Sequence, residues 1–104
     1  MDYNEILNML TDFRDQRGWN KFHNLKDLAI SLNLEASEVL EIFQWQPEKQ
    51  KLTPDQQEHL EEELADTMIY LIYMFDKLGI DPGAAIKKKV AFNKHRKWPK
   101  IDQH

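Results

Sequence analysis

Cysteine is absent from this chain of 104 residues. Its absence excludes disulfides, thiol nucleophiles, zinc–thiolate sites and iron–sulfur clusters, and it fits a reducing compartment. Glycine and proline are scarce as well, with three and four copies respectively. Breaks in regular structure should therefore be few, and we expect them to mark the ends of long helices.

Long apolar runs are also missing. No run approaches the roughly 18 residues of a membrane span. The first residues, MDYNEILNML, lack the basic and apolar segments of a targeting signal. The sequence therefore predicts a soluble cytoplasmic protein with no membrane partner. Its length suits a single domain, residues 1–104, in which about 94–104 form a basic C-terminal tail.

Charge is distributed unevenly along the chain, whose net charge is −4. Ten of the 18 acidic residues lie between Glu35 and Asp66, whereas Lys87 to Lys100 holds seven of the 14 basic residues and no acidic one. Solvated helix faces explain most such asymmetries. The alternative is a metal–phosphate site, in which acids hold a divalent cation and bases meet the accompanying anion. The negative net charge and the lack of a recognisable nucleic-acid-binding motif disfavour a nucleic-acid polymer as partner.

Capping signals divide the chain into four helices. The predicted limits are Asp2 to Gly18, Asn24 to Pro47, Thr53 to Gly79, and Asp81 to about Asn93. A proline directly follows the third and fourth caps, at the first helical position that favours it. No segment alternates with period two, so we expect an all-α bundle of four main helices, with an irregular tail after Trp98-Pro99.

The third predicted helix is apolar nearly all round between Thr67 and Phe75. A small monomeric bundle cannot readily cover such a surface. We therefore expect a homo-oligomer, a dimer or a tetramer, whose interface buries part of it.

Two pairs of carboxylates occur at a spacing of three residues, Glu35 with Glu38 and Glu63 with Asp66. Residues three apart share a helix face, and each pair borders an apolar stripe. If the second and third helices pack antiparallel, the pairs converge on one cleft. Crowded carboxylates repel unless they are protonated or bind cations, and an all-oxygen cluster suits Mg²⁺ or Mn²⁺.

Each pair alone is more often a solvated face than a ligand set. Their occurrence on consecutive helices, both at the margin of an apolar stripe, favours the metal site over that alternative. A di-iron bundle would need Glu-x-x-His. None of the four histidines lies three residues after a glutamate, which weakens the di-iron interpretation.

Together, Glu35-Ala-Ser-Glu38 and Glu63-Leu-Ala-Asp66 resemble the ExxE and ExxD motifs of the all-α nucleoside triphosphate pyrophosphohydrolases, the MazG-like superfamily. The segments GWNKFHNLKDLAISLNLEASEVLEIFQW, EEELADTMIYLIYMFDKLGID and NKHRKWP are similar to the branch that contains dCTP pyrophosphatase, and they cover most of the chain. The resemblance implies Mg²⁺-dependent hydrolysis between the α and β phosphates, with all four carboxylates as metal ligands and catalytic residues.

The same resemblance implies which residues contact a nucleotide. Aromatic rings would stack on the base, and polar or basic side chains near the C-terminus would contact phosphates or sugar. The implied base-pocket residues are Trp19, Phe22, His23, Trp45 and Tyr70. The implied phosphate or sugar contacts are Lys89, Asn93, Lys94 and Arg96. Ordinary core packing is the alternative for Trp45 and Tyr70, whereas Lys87 and Lys88 are assigned to a solvated face.

Three functions remain in competition. The leading interpretation is a nucleotide-pool house-cleaning enzyme that prefers dCTP-like or noncanonical deoxynucleoside triphosphates. A second is hydrolysis of dUTP or phosphoribosyl-ATP. The third is a non-catalytic, oligomeric helical interaction module, in which Glu38→Ala and Asp66→Ala would change neither metal binding nor any activity.

Overall fold

The computed structural model describes residues 1–48 and 50–96 of the chain. Within these ranges the regular structure consists of four α-helices and one short 3₁₀ helix. The helices are α1 (Tyr3–Gln16), α2 (Leu25–Phe43), α3 (Pro54–Leu78) and α4 (Pro82–His95), and the 3₁₀ turn is Asn20–Phe22. The predicted all-α fold is confirmed.

Each α-helix begins at the capping side chain that the sequence provides. The caps are Asp2, Asn24, Thr53 and Asp81, and each accepts a hydrogen bond from the backbone N–H three residues further on. Gln56 Oε1 also accepts from the backbone N–H of Thr53 at 2.9 Å, which completes a capping box. These bonds satisfy N–H groups that the first turn leaves without an intrahelical partner, and the four predicted starts are confirmed.

Glycine ends two of the helices as predicted. Gly79 closes α3 with φ 67°, and Gly18 has the same φ just after α1. A side chain with a Cβ is strained in this left-handed conformation, whereas glycine adopts it freely. The chain can therefore reverse direction at these two points.

Two other helix ends differ from the prediction. Helix α2 ends at Phe43, short of Pro47, and the N–H of Gln46 donates to the Phe43 carbonyl at 3.1 Å in the turn that follows. Helix α4 continues to His95 instead of fading near Asn93. The tail predicted to be irregular after Trp98-Pro99 lies outside the described residues.

Among the described helices, α2 and α3 make the most extensive contact. Glu35 of α2 lies beside Glu63 of α3, whereas Glu41, further along α2, shares a pocket with Gln56 near the start of α3. The two helices therefore run antiparallel, which is the condition under which the two carboxylate pairs were expected to converge. This arrangement places the glutamate-rich parts of both helices opposite each other.

Helix α1 is fastened to α3 by polar contacts. The Tyr73 hydroxyl donates to the Leu10 carbonyl at 2.9 Å. The buried guanidinium of Arg14 lies 3.0 Å from the carboxylate of Asp15 on its own helix and 3.5 Å from that of Asp76 on α3. These contacts hold the C-terminal half of α1 against the C-terminal half of α3.

Much apolar surface stays exposed in the single chain. In α4, Ile86 and Val90 lie one turn apart on one face, and they are 61% and 49% exposed. Leu28, Ile72 and Tyr73 are the buried apolar side chains of the described residues. Even so, no helix in residues 1–48 or 50–96 combines the length and apolarity needed to cross a membrane.

Candidate functional site

A cluster of carboxylates lies where α2 faces α3. Glu35, Glu63 and Asp66 each offer one oxygen, and these oxygens all lie within 4.8 Å of one another. The spacing of three residues puts Glu63 and Asp66 on one face of α3, and the antiparallel α2 brings Glu35 opposite them. The structure therefore brings together three of the four predicted metal ligands.

Two oxygens of this carboxylate cluster have unmet bonding capacity. Oε2 of Glu35 and Oε2 of Glu63 are buried and have no hydrogen-bond partner. A buried carboxylate oxygen without a donor is costly, and such groups generally bind a cation or another partner. All the donors are carboxylate oxygens, which suit a hard divalent cation. The residues present therefore fit a metal site.

Glu38, the fourth predicted ligand, interacts with Glu63 of the same cluster although its own side chain is exposed. Close contact with the Glu63 carboxylate, together with the charge of Glu63, raises the pKa of Glu38. Burial, and then the charge of Glu38, raise the pKa of Glu35. Crowded negative charge contributes to both pKa shifts, and a bound cation would oppose them by favouring the ionised forms.

An aromatic pocket adjoins the carboxylate cluster. It encloses about 260 Å³ between α1, the 3₁₀ turn and α3. The lining residues are Leu10, Phe13, Trp19, His23, Asp66, Ile69, Tyr70 and Tyr73. Asp66 belongs to both the pocket and the cluster, so the two form one continuous site.

Ring contacts and one backbone bond set the shape of this aromatic pocket. The N–H of Trp19 donates to the Arg14 carbonyl at 3.0 Å, and the Trp19 ring meets Phe13 edge to face at 5.5 Å between centroids. The rings of His23 and Tyr73 are 4.7 Å apart. Trp19 and His23 thus reach the pocket from the short segment that links α1 to α2.

His23 has a ring nitrogen without a hydrogen-bond partner in this region. Its Nδ1 is buried and has no hydrogen-bond partner. Burial lowers the pKa of His23, and the positive charges of Arg14 and Lys77 lower it further. The imidazole is therefore held towards its neutral form, in which a ring nitrogen can accept a hydrogen bond.

Two predicted base-pocket residues lie elsewhere in the single chain. Phe22 is 62% exposed, with the Lys21 ammonium 5.1 Å from its ring centre. Trp45 is 89% exposed in the turn after α2. Neither residue lines the aromatic pocket, whereas Trp19, His23 and Tyr70 do.

The predicted phosphate or sugar contacts all lie on or just after α4. Lys89, Lys94 and Arg96 are exposed, and Asn93 is half-buried with an Oδ1 that has no hydrogen-bond partner. The Lys89 ammonium lies 4.7 Å from the centre of the Phe92 ring. None of these α4 residues lines the aromatic pocket within the described chain.

Sequence reasoning missed several residues of the site. Phe13 and Tyr73 line the aromatic pocket, but each sits in an ordinary apolar helix pattern that does not reveal which neighbour it meets. His59 lies 3.2 Å from Glu63, measured from Nε2 to Oε1. Its spacing of four residues before Glu63 was a usable signal, because such pairs share a helix face.

Comparison with known proteins agrees with this geometry. Residues 30–104 match the model of the MazG-like family. The chain therefore belongs to the MazG-like family, which confirms the resemblance seen in the sequence motifs. The matched region contains all of α3 and α4, and α2 from residue 30 onward.

The chain is also similar to individual proteins. It is similar to dCTP pyrophosphatase 1 of Homo sapiens and of Bos taurus, with 31% identity over 96 residues in each case and 88% of this chain covered. The match spans only 56% and 57% of those two proteins. It is also similar to the crystal structure of a pyrophosphatase from Archaeoglobus fulgidus, with 39% identity, a TM-score of 0.76, and 90% of this chain and 92% of that chain covered.

Proposed function

We propose that this protein is a nucleoside triphosphate pyrophosphohydrolase that uses a divalent cation, with Mg²⁺ as its natural metal and Mn²⁺ as a substitute. It adds water to a nucleoside triphosphate and releases the monophosphate and pyrophosphate. The observation that carries the proposal is the position of Asp66, which belongs to both the carboxylate cluster and the aromatic pocket. A nucleotide has the matching parts, a charged phosphate chain next to a flat base.

The cation would be held by Glu35, Glu38, Glu63 and Asp66. When bound, it supplies positive charge against the phosphate oxygens and makes a water molecule more acidic. The carboxylates also keep that end of the site negative when it is empty, so phosphate enters only together with a cation. Such chemistry requires no protein nucleophile, which agrees with a chain that has no cysteine.

The aromatic pocket would hold the base. Trp19 and Tyr70 provide flat rings for stacking, and the buried Nδ1 of His23 offers a hydrogen bond to the edge of the base. Phe22 and Trp45 stay in the proposed base-binding set. The proposed phosphate or sugar contacts are Lys89, Asn93, Lys94 and Arg96.

We infer that the preferred substrates are dCTP-like or noncanonical deoxynucleoside triphosphates, and that the enzyme clears them from the nucleotide pool. The similarity to proteins named dCTP pyrophosphatase 1 supports this inference. Hydrolysis of dUTP or of phosphoribosyl-ATP is the competing activity within the same chemistry. Comparing relative kcat/KM values across these substrates decides between them.

The proposal includes a cytoplasmic homo-oligomer, a dimer or a tetramer, with no nucleic-acid polymer or membrane as partner. The radius of gyration is 16.9 Å. A compact domain of this length has a radius of about 13 Å. The chain alone therefore leaves its helices spread out, and the exposed apolar faces of α3 and α4 suit a second copy. Light scattering at micromolar concentration tests this part, and a monomeric mass would contradict it.

Product analysis tests the activity itself. The purified protein is incubated with each common nucleoside and deoxynucleoside triphosphate, with and without Mg²⁺, and the products are separated by chromatography. We expect the monophosphate and pyrophosphate, and only in the presence of metal. Diphosphate with orthophosphate would mean cleavage of a different bond and would contradict the proposal.

The exposed apolar surface also suits the second candidate, a non-catalytic interaction module. It differs from the enzyme in what the carboxylates do. In the module, Glu38→Ala and Asp66→Ala leave metal binding unchanged, whereas in the enzyme each abolishes turnover while the fold survives. Removing one of several crowded negative charges relieves repulsion in the metal-free protein, so loss of folding is not expected.

A further inference from the structure

His59 lies at the edge of the carboxylate cluster and is not among its ligands. It precedes Glu63 by one helical turn on α3, and its Nε2 is 3.2 Å from Glu63 Oε1. Glu63 is the buried carboxylate of the cluster, at 9% exposure, whereas the His59 side chain is 58% exposed. The imidazole therefore reaches the cluster from the solvent side.

The two oxygens of Glu63 have different surroundings. Oε1 lies 3.2 Å from Nε2 of His59, whereas Oε2 is buried and has no hydrogen-bond partner. A donor on one oxygen restricts rotation of the carboxylate and leaves the other oxygen available. We propose that His59 is a positioning residue, which donates from Nε2 to Oε1 of Glu63 and keeps Oε2 available for the cation. This inference rests on the metal site of the proposed function.

The surroundings of His59 suit this role. The residue lines an open pocket with Glu41 and Ile42 of α2 and Gln56 of α3, so its ring lies where the two helices meet. A neutral imidazole can donate from Nε2 without adding positive charge. A lysine or arginine at the same place would also donate, but its permanent charge would oppose a divalent cation held by Glu63.

Partners that hold metal ligands in place are energetically important. Their loss commonly weakens metal binding by about 10- to 100-fold. Because the His59 side chain is largely exposed, we expect an effect near the lower end of that range. The helix itself should be unaffected, since His59 makes no capping or core contact among the described residues.

Amide replacements can show which ring nitrogen matters. The amide nitrogen of glutamine occupies nearly the position of histidine Nε2, whereas that of asparagine corresponds to Nδ1. His59→Gln should therefore retain the donor to Glu63, and His59→Asn should lose it. His59→Ala removes the donor altogether. Gln57→Ala, an exposed change on the same helix, is the matched control.

The test measures Mn²⁺ affinity of the substrate-free protein, with the free ion quantified by electron paramagnetic resonance and folding checked by circular dichroism. We expect about tenfold weaker binding for His59→Ala and His59→Asn. His59→Gln and Gln57→Ala should match the wild type. Turnover of the alanine variant should recover as Mn²⁺ is raised, because only metal retention is impaired.

Two results would overturn the role of His59. One is wild-type affinity in His59→Ala, and the other is a His59→Gln variant that binds as weakly as His59→Ala. Failure of the proposed function looks different, because then the wild type itself binds no Mn²⁺. That outcome would remove the metal site and this inference together.

Discussion

The antiparallel pair α2–α3 and the last helix, α4, differ in how much of their side-chain surface is buried within a single chain. The pair contains Leu28, which is 1% exposed, and the buried carboxylate of Glu63. Helix α4 has no buried residue from Pro82 to His95, and its Phe92 is 58% exposed. Packing fixes the first region within one chain, whereas much of the second faces outward.

The difference bears on the two halves of the proposed site. The carboxylate cluster is assembled entirely by α2 and α3, so metal binding should need only one copy of the chain. The proposed phosphate or sugar contacts lie on or just after α4, and none of these described residues lines the aromatic pocket. If the proposed homo-oligomer covers α4, disrupting that interface should impair catalysis more than it impairs metal binding.

The largest expected effect is on activity, in Asp66→Asn. The substitution keeps the shape of the side chain but removes the charge shared by the cluster and the aromatic pocket. Since loss of an outer partner of a metal ligand already costs about 10- to 100-fold, we expect kcat/KM to fall by more than about 100-fold. The metal-free variant should be at least as stable as the wild type, because repulsion is reduced.

Glu62→Gln is the control for that substitution. It removes an equal charge from an exposed position on the same helix. It should leave kcat/KM close to the wild-type value. Equal losses in both variants would indicate a general effect of charge and contradict the role of Asp66.

The next effect is on stability, in Leu28→Ala. Removing a buried leucine side chain leaves a cavity and should lower the free energy of unfolding by about 2–5 kcal/mol. Leu34→Ala makes the same change on the same helix at a position that is 60% exposed, and it should cost less than about 1 kcal/mol. Urea unfolding measures both, and similar losses would mean that Leu28 is not a distinctive core position.

A third prediction concerns association through α4. Val90→Asp places a charge on the exposed apolar face, and burying that charge in an interface would be costly. We expect the light-scattering mass to shift towards the 12.5 kDa of one chain, while Mn²⁺ binding persists. Lys87→Ala, which truncates an exposed and already charged side chain of the same helix, should leave the mass unchanged. A Val90→Asp variant with wild-type mass would show that this face takes no part in assembly.

The smallest effect is the titration of His23. Its lowered pKa means that protonation favours the unfolded chain, so its contribution to stability is present above about pH 6.5 and is lost as the pH falls towards the folded-state pKa. The NMR midpoint of the His23 ring should lie below 6.5. Arg14→Gln should move it upward by removing one source of positive charge, and a wild-type midpoint above 6.5 would contradict the assignment.

Local chemistry explains which parts of the fold could be predicted. A helix start depends on a capping side chain and on the backbone N–H three residues further along. Asp2 and Thr53 could therefore be identified as helix caps from the sequence. The 3₁₀ turn of Asn20–Phe22 was missed, because its short length gives no periodic pattern. The predicted end of α2, at Pro47, lies beyond the observed end at Phe43. A proline sets the furthest point that a helix can reach, but the helix can end before it.

The candidate site was predictable to the extent that helical spacing determines it. Glu35 meets Glu63 because each lies on a definite face and the helices are antiparallel. The aromatic pocket depends on how α1 packs against α3. The sequence around Phe13 or Tyr73 does not show which helix each residue contacts. Helical spacing does not determine where Trp45 and the α4 residues lie relative to the site, and none of them lines the aromatic pocket within the described chain.

Crystals soaked in Mn²⁺ test the central claim most directly, through an anomalous difference map. The claim is that the oxygens of Glu35, Glu63 and Asp66 form one cation site between α2 and α3. We predict an anomalous peak bonded to carboxylate oxygens of all three residues in the wild type, and its loss in Asp66→Asn. A fully soaked wild-type crystal with no peak among these residues would contradict the account.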